Sequence, residues 1–232
     1  MSAPLPALIL AAGRGERMRP LTDRTPKPLL RVRGKALIEW HLEALARAGV
    51  TEVVINTAWL EEQFEAVLGD GARYRLRIQY SMEGRDHGGA LETAGGMAKA
   101  APLLGPAFWV VAGDIFIPDF SFSREHSERF LASSDWAHLW LVDNPPHHPQ
   151  GDFHLDAQGR VRAQGEPRLT YSSIGLFRPE LVAGVQVGEK SALRPALEKA
   201  MTHNRVGGQR LAGTWADVGT PERLAQLDAI NS

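Results

Sequence analysis

A glycine-containing turn and two cations near the N-terminus carry the clearest chemistry in this chain. An apolar run passes directly into Leu10-Ala11-Ala12-Gly13-Arg14-Gly15-Glu16-Arg17-Met18, and Thr25-Pro26-Lys27-Pro28-Leu29 follows shortly after. Small residues let a backbone come close to phosphates, and the N–H groups of a glycine-rich turn form a concavity that binds anions. Arg17 and Lys27 bring positive charge to the same place. A lysine there can neutralise a phosphoryl oxygen as its charge builds. In outline this is a triphosphate site, which points to an enzyme that handles nucleotides.

Two commoner phosphate motifs are excluded by spacing. A dinucleotide fingerprint needs a third glycine where Met18 stands, and no Gly-Lys-Ser/Thr run exists to make a P-loop. Gly13-x-Gly15 alone would serve equally well as a plain strand-to-loop turn. Its combination with Arg17-Met18 and Thr25-Pro26-Lys27-Pro28 is what makes the signal specific.

Acidic residues supply the next candidates. Asp114 follows an apolar strand and a glycine, and Asp217 sits in Trp215-Ala216-Asp217-Val218-Gly219. Each could simply close a turn. Beside a phosphate site they read as ligands for Mg²⁺, which is held by one or two carboxylates with phosphate oxygens and water completing its shell. Glu92-Thr93-Ala94-Gly95-Gly96 opens a helix, where Thr93 is either an N-cap or, with Gly95, a reader of a base edge. Glu83 is either a solvated carboxylate or an acceptor for a pyrimidine N3–H. His147-His148 is not read as a metal site, because adjacent loop residues do not readily face one ion and no cysteine or third histidine is near. Trp40, Trp59 and Trp109 are expected in the core, and Trp136, Trp140 and Trp215 in the core or a pocket wall.

The elements that must hold these groups alternate. Strands are expected at Ala7–Ala11, Glu52–Asn56, Leu76–Tyr80 and Phe108–Ala112, with helices over Ala36–Ala48, Leu60–Leu68 and Leu91–Ala100. Such spacing implies βαβ units in a mostly parallel sheet, with ligands beyond the carboxyl ends of the strands. The glycine turn and Asp114 would share that edge. The second half is less regular. Strands are expected at Trp136–Asp143 and Tyr171–Phe177, a hairpin at Phe153–Leu155 and Arg160–Arg162, and a helix at Ser191–Met201. Thr220 is a plausible N-cap with Pro221 at the first helical position.

Composition bounds the rest. The 232 residues suffice for one domain with a subsidiary lobe. With 26 basic and 27 acidic residues, neither a nucleic-acid nor a membrane footprint is expected. The absence of cysteine excludes a disulfide framework and thiolate metal sites, and it suits a cytoplasmic location. The N-terminal apolar stretch lacks a basic leader and reads as a strand. A monomer or small homo-oligomer is expected.

In combination these residues resemble the sugar-1-phosphate nucleotidyltransferases. The match runs through Leu-Ala-Ala-Gly-x-Gly-x-Arg-Met at 10–18, Thr-Pro-Lys-Pro at 25–28, Glu-Thr-Ala-Gly-Gly at 92–96, Gly-Asp at 113–114 and Trp-x-Asp-x-Gly at 215–219, in family order. Within the family, Val142-Asp143-Asn144-Pro145-x-His147-His148-x-x-Gly151-Asp152-Phe153 is similar to members that uridylylate N-acetylmuramate 1-phosphate in peptidoglycan recycling. The resemblance implies a Rossmann-like α/β fold with a smaller β-rich sugar lobe, about 1–115 binding nucleotide and about 116–232 binding sugar. It implies UTP and a sugar 1-phosphate as substrates and Mg²⁺ as cofactor. Asp114 and Asp217 would hold the metal, Arg17 the β- and γ-phosphates, and Lys27 the α-phosphate or the sugar phosphate. Leu10, Ala11, Ala12, Gly13, Gly15, Glu16, Glu83, Thr93, Gly95 and Ala112 would contact the nucleotide. Asn144, Gly151, Glu166, Tyr171 and Ser172 would line the sugar pocket. The chain departs from the pattern in a longer 84–90 loop, in Ala112 where near relatives often carry Asn, and in Glu166-Pro167-Arg168, where Arg168 could replace a sugar-phosphate lysine. The same chemistry on mannose 1-phosphate with GTP, or on glucose 1-phosphate with UTP or dTTP, is the nearest rival. A non-catalytic nucleotide-sugar-binding protein is the rival of another class.

Overall fold

The computed structural model describes residues 4–229. The first half runs β1 (Ala7–Leu10), the ribbon β2 (Arg31–Val32) and β3 (Lys35–Ala36), α1 (Leu37–Arg47), β4 (Glu52–Thr57), α2 (Glu62–Leu68), β5 (Arg77–Met82), α3 (Glu83–His87), α4 (Glu92–Ala100), β6 (Phe108–Ala112) and β7 (Ile115–Phe116). The second half follows with α5 (Arg124–Ala132), β8 (Ala137–Val142), β9 (Phe153–Leu155), β10 (Val161–Arg162), β11 (Arg168–Phe177), α6 (Leu193–Thr202), β12 (Val206–Arg210), β13 (Ala216–Asp217) and α7 (Pro221–Ala229).

Strands β5, β4, β1 and β6 lie side by side and parallel, as the alternation of strand and helix requires. β11 then pairs antiparallel with β6, β8 pairs antiparallel with β11, and β12 runs parallel to β8. The hairpin of β9 and β10 joins the start of β11. One nine-stranded sheet therefore carries residues from both halves of the chain. The expected α/β architecture, a central mostly parallel sheet flanked by helices, is the one the chain adopts.

The strand period of two decides which residues face which helices. Ala7, Ile9, Val53, Ile55, Trp109 and Val111 belong to one buried cluster, shared with α1, α2 and α5. Leu8, Val54, Phe108 and Val110 point to the other, shared with α4 and α6. Trp109 and Trp140 are almost fully buried, their ring centroids 5.2 Å apart and their planes tilted by 38°. Burial of side chains this size contributes roughly 2–3 kcal/mol each. A third cluster of Met18, Val32, Leu37, Phe116, Val218 and Leu227 ties α7 and the β7–β13 ribbon to the glycine segment. Among the described residues no helix is long and apolar enough to cross a membrane.

Three local expectations change. Residues 83–87 form the short helix α3 where a loop was expected. α5 was not expected, because its sequence Arg-Glu-His-Ser-Glu-Arg-Phe-Leu-Ala buries only Ser127 and Phe130 and so shows almost no apolar period. Its start is marked by Ser123, whose Oγ accepts the His126 N–H at 3.2 Å. Thr93 does not cap α4, which begins at Glu92 with φ +60°; Thr93 lies within the first turn. Thr220 does accept the Arg223 N–H, at 3.4 Å, at the head of α7.

Candidate active site

Register brings the site together. Leu10 at the end of β1 pairs with Ala112 of β6 on one side and Asn56 of β4 on the other. All three line a cavity of about 830 Å³ at the carboxyl ends of the parallel strands. Ala11, Ala12, Gly13, Gly15, Glu16, Arg17, Lys27, Thr93, Asp114 and Tyr171 line it as well.

The glycine turn is built from two different glycines. Gly15 has φ +67°, and a Cβ there would lie 3.0 Å from Thr22 Cγ2 and 3.2 Å from Lys27 Cβ. Thr22 Oγ1 donates to the Gly15 carbonyl at 2.8 Å, so the turn is clamped against the segment that carries Lys27. Gly13 has nothing within 4 Å of its would-be Cβ. It leaves the backbone bare toward the cavity. Arg17 is exposed and makes no hydrogen bond or ion pair among the described residues. Arg14 lies with its guanidinium 3.8 Å from the Trp59 ring centroid, and the Trp59 indole N–H donates to the Thr22 carbonyl at 2.9 Å. Trp59 is thus a wall of this region rather than core.

Lys27 is largely buried, and its Nζ sits 2.5 Å from Asp114 Oδ2. Asp114 follows β6, and β7 pairs antiparallel with β13 so that Ile115 faces Asp217. The Val218 N–H donates to the Asp114 carbonyl at 3.3 Å. The two acidic residues, far apart in sequence, therefore meet on one ribbon. Asp217 is held by Arg223 Nη1 at 2.8 Å to each carboxylate oxygen and by His147 Nε2 at 3.0 Å. Both carboxylates are thus met by cations or a potential cation, as expected where negative charge is gathered. Among the described residues no group of three or more His, Cys, Asp or Glu forms a metal cage. Two carboxylates sharing an ion with phosphate oxygens fit this arrangement. Behind the ribbon, His41 of α1 is fully buried and donates from Nε2 to the Ile115 carbonyl at 3.0 Å. Burial lowers its pKa to about 4, against the opposing effects of that bond and of the Asp114 charge.

Glu83 is completely buried beneath the turn. It accepts from Asn56 Nδ2 at 2.7 Å and from the Leu91 N–H at 2.8 Å, and Asn56 Oδ1 accepts the Ala11 N–H at 2.8 Å. Burial raises the Glu83 carboxyl pKa, while the bonds from Leu91 and Asn56 pull it down. Glu83 thus supports the start of the glycine turn through Asn56. Gly95 does not reach the cavity: its N–H bonds to the Ser191 carbonyl at 3.1 Å, and a Cβ would meet the Glu189 carbonyl at 2.3 Å. It lets α4 pack on residues 189–191.

The sugar-side candidates divide. Tyr171 lines the cavity, and burial followed by the nearby Asp152 charge raises its phenol pKa. Ser172 is fully buried and donates to the Trp140 carbonyl at 2.8 Å. Its neighbour Ser173, at φ +63° in the irregular stretch of β11 between Tyr171 and Gly175, lines the cavity instead. Asn144 spans its own loop, donating to the Pro149 and Arg168 carbonyls and accepting from Thr170, and Gly151 packs directly on it. Glu166 is exposed and accepts the Arg168 N–H at 3.2 Å, outside the cavity lining. His147 and His148 face different carboxylates, Asp217 and Asp152.

Sequence reasoning missed Asn56, Asp152, Ser173, Arg194 and Arg223. Asn56 did carry a signal, a polar residue ending the apolar strand Val53-Val54-Ile55. Arg194 lines the cavity from α6 and Arg223 reaches Asp217 from α7, placements that no local pattern reveals.

The nucleotidyl transferase family model matches residues 6–230. The chain is 52% identical over 228 residues to an N-acetylmuramate alpha-1-phosphate uridylyltransferase of Neisseria meningitidis, covering 97% of each. It is 35% identical to the protein of the same name from Caulobacter vibrioides, covering 98% of this chain and 97% of that one. A crystal structure from Bacillus anthracis, described as that of a glucose-1-phosphate thymidylyltransferase, aligns with a TM-score of 0.80 at 20% identity over 97% of this chain and 94% of that one; at that identity the likeness speaks to the fold alone. With the glycine turn, Lys27 and Asp114 lining one cavity, and a family match over nearly its whole length, this chain belongs to the nucleotidyl transferase family.

Proposed function

We propose that this protein transfers the uridylyl group of UTP to N-acetylmuramate 1-phosphate, giving UDP-N-acetylmuramate and pyrophosphate. The identity of 52% over 97% of both chains to the Neisseria meningitidis enzyme supports the substrate pair. The convergence of the glycine turn, Lys27 and Asp114 on one cavity carries the chemistry. A phosphate oxygen of the sugar phosphate attacks the α-phosphorus of UTP, a new P–O bond forms, and the bond from the α-phosphorus to the bridging oxygen breaks to release pyrophosphate. The sugar phosphate is already ionised, so no general base is needed.

The obstacle is repulsion between two anions. Lys27 neutralises the α-phosphate or the incoming phosphate, Arg17 takes the β- and γ-phosphates, and backbone N–H groups of residues 12–15 bind phosphate oxygens. Asp114 and Asp217 would hold a divalent cation, Mg²⁺ by the preference of all-oxygen donors. When bound, that ion supplies further charge neutralisation on the phosphates. We assign the reaction to the recycling of cell-wall sugars in the cytoplasm, where UTP and phosphorylated sugars meet.

The test is pyrophosphate release with Mg²⁺, pairing UTP, GTP, CTP and dTTP with the 1-phosphates of N-acetylmuramate, glucose and mannose. Turnover is expected with UTP and the muramate sugar. Preference for another pair would discard the substrate assignment and keep the reaction class. No turnover with any pair would favour a nucleotide-sugar-binding role.

A further inference from the structure

Four basic residues line the cavity. Arg14, Arg17 and Lys27 belong to the phosphate segments, and the fourth, Arg194, comes from the first turn of α6 on the opposite side of the chain order. Its Nε donates to Glu198 at 2.9 Å, and its guanidinium lies 5.1 Å from the Phe153 ring centroid. The other edge of the group is only loosely engaged: Nη1 is 3.7 Å from Asp152 Oδ1, and Nη2 is 3.4 Å from the Asp152 carbonyl. Two N–H groups on one edge of a planar guanidinium are the arrangement that receives a carboxylate bidentately.

We propose that Arg194 recognises the carboxylate of the lactyl ether that distinguishes N-acetylmuramate from N-acetylglucosamine. This rests on the substrate assignment above. The lactyl group carries a methyl beside its carboxylate, and Phe153, Leu193 and Leu197 give Arg194 apolar neighbours in the cavity wall. Asp152 would repel a second carboxylate if its charge were free. Its Oδ2 accepts the Tyr171 N–H at 2.9 Å, and its Oδ1 lies 3.2 Å from His148 Nε2. The loop that contains His147 and His148 thus engages Asp152 and leaves the outer edge of Arg194 for the ligand. Arg194 is a specificity residue in this account and takes no part in the phosphoryl chemistry.

The side chain of Arg194 is 49% exposed, so substitution there leaves the core untouched. Calorimetric titration of the full chain with UDP-N-acetylmuramate and with UDP-N-acetylglucosamine, both with Mg²⁺, reads the affinity ratio directly. The wild type is expected to favour the muramate nucleotide. Arg194→Gln should reduce that ratio about tenfold or more, and Arg194→Lys should retain part of it. A ratio unchanged in Arg194→Gln, or a fall of equal size for both nucleotides, would overturn the role of Arg194 while leaving the substrate assignment intact. A wild type without preference for the muramate nucleotide would overturn the substrate assignment and this inference together.

Discussion

Lys27 Nζ lies 2.5 Å from Asp114 Oδ2, joining the Thr25-Pro26-Lys27-Pro28 segment to the turn that follows β6. Without substrate each group neutralises the other in a partly buried setting. With a nucleotide present, the lysine can turn to a phosphoryl oxygen and leave the carboxylate to a cation. Lys27→Ala should lower turnover about a hundredfold or more, comparable with losing one preorganised donor. Initial rates of pyrophosphate release measure this, and near-normal turnover would reject the role.

Gly13 and Gly15 should respond differently to alanine. Gly15→Ala forces a side chain into a left-handed backbone and against Thr22 and Lys27, and should cost about 1–2 kcal/mol of stability. Gly13→Ala meets no protein atom, so its denaturation midpoint should stay near that of the wild type. Its methyl group would stand where phosphate approaches, and nucleotide affinity should fall. Urea unfolding and nucleotide titration of both variants separate the two effects.

Asn56 connects the buried Glu83 carboxylate to the Ala11 N–H. Asn56→Leu takes one donor from the buried Glu83 carboxylate and leaves the Ala11 N–H only its longer bond to the residue 56 carbonyl, and should destabilise the fold by about 1–3 kcal/mol. It should also loosen the start of the glycine turn. Equilibrium unfolding and amide exchange at Ala11 are the measurements, and wild-type values in both would show that the relay is dispensable.

His41 makes stability depend on pH in the acid range. Its folded pKa falls from 6.5 to about 4, so on acidification the unfolded chain takes up the proton first. Its contribution is fully present above pH 6.5 and is lost as pH falls toward 4, amounting to about 2 kcal/mol by pH 5. Urea unfolding of wild type and His41→Gln at pH 7.5 and 5 should show a smaller decline in the variant. An equal decline in both would assign the acid sensitivity elsewhere.

Some of this molecule was legible in the sequence because the signal is local. Gly13-Arg14-Gly15 after an apolar strand, the alternation of β4, α2, β5 and α4, and Thr220-Pro221 at the head of α7 all express backbone geometry or side-chain period over a few residues. These patterns placed the glycine turn and Asp114 at one edge of a parallel sheet, and the register of β1 with β4 and β6 puts them there.

Only the tertiary structure decided what depends on partners far along the chain. Glu83 could have been a surface carboxylate until burial beneath Asn56 and Leu91 made it a support. Asp217 meets Asp114 only because β7 and β13 pair, and its ties to Arg223 and His147 come from α7 and a distant loop. In β11, Ser173 rather than Ser172 lines the cavity with Tyr171, in a stretch where β11 gains two residues over β8 between Tyr171 and Gly175. Arg194 reads as an ordinary helical surface residue until α6 docks beside β9. Local sequence specifies backbone form and which stripe is apolar; which polar groups share a cavity is set by how the packed elements meet.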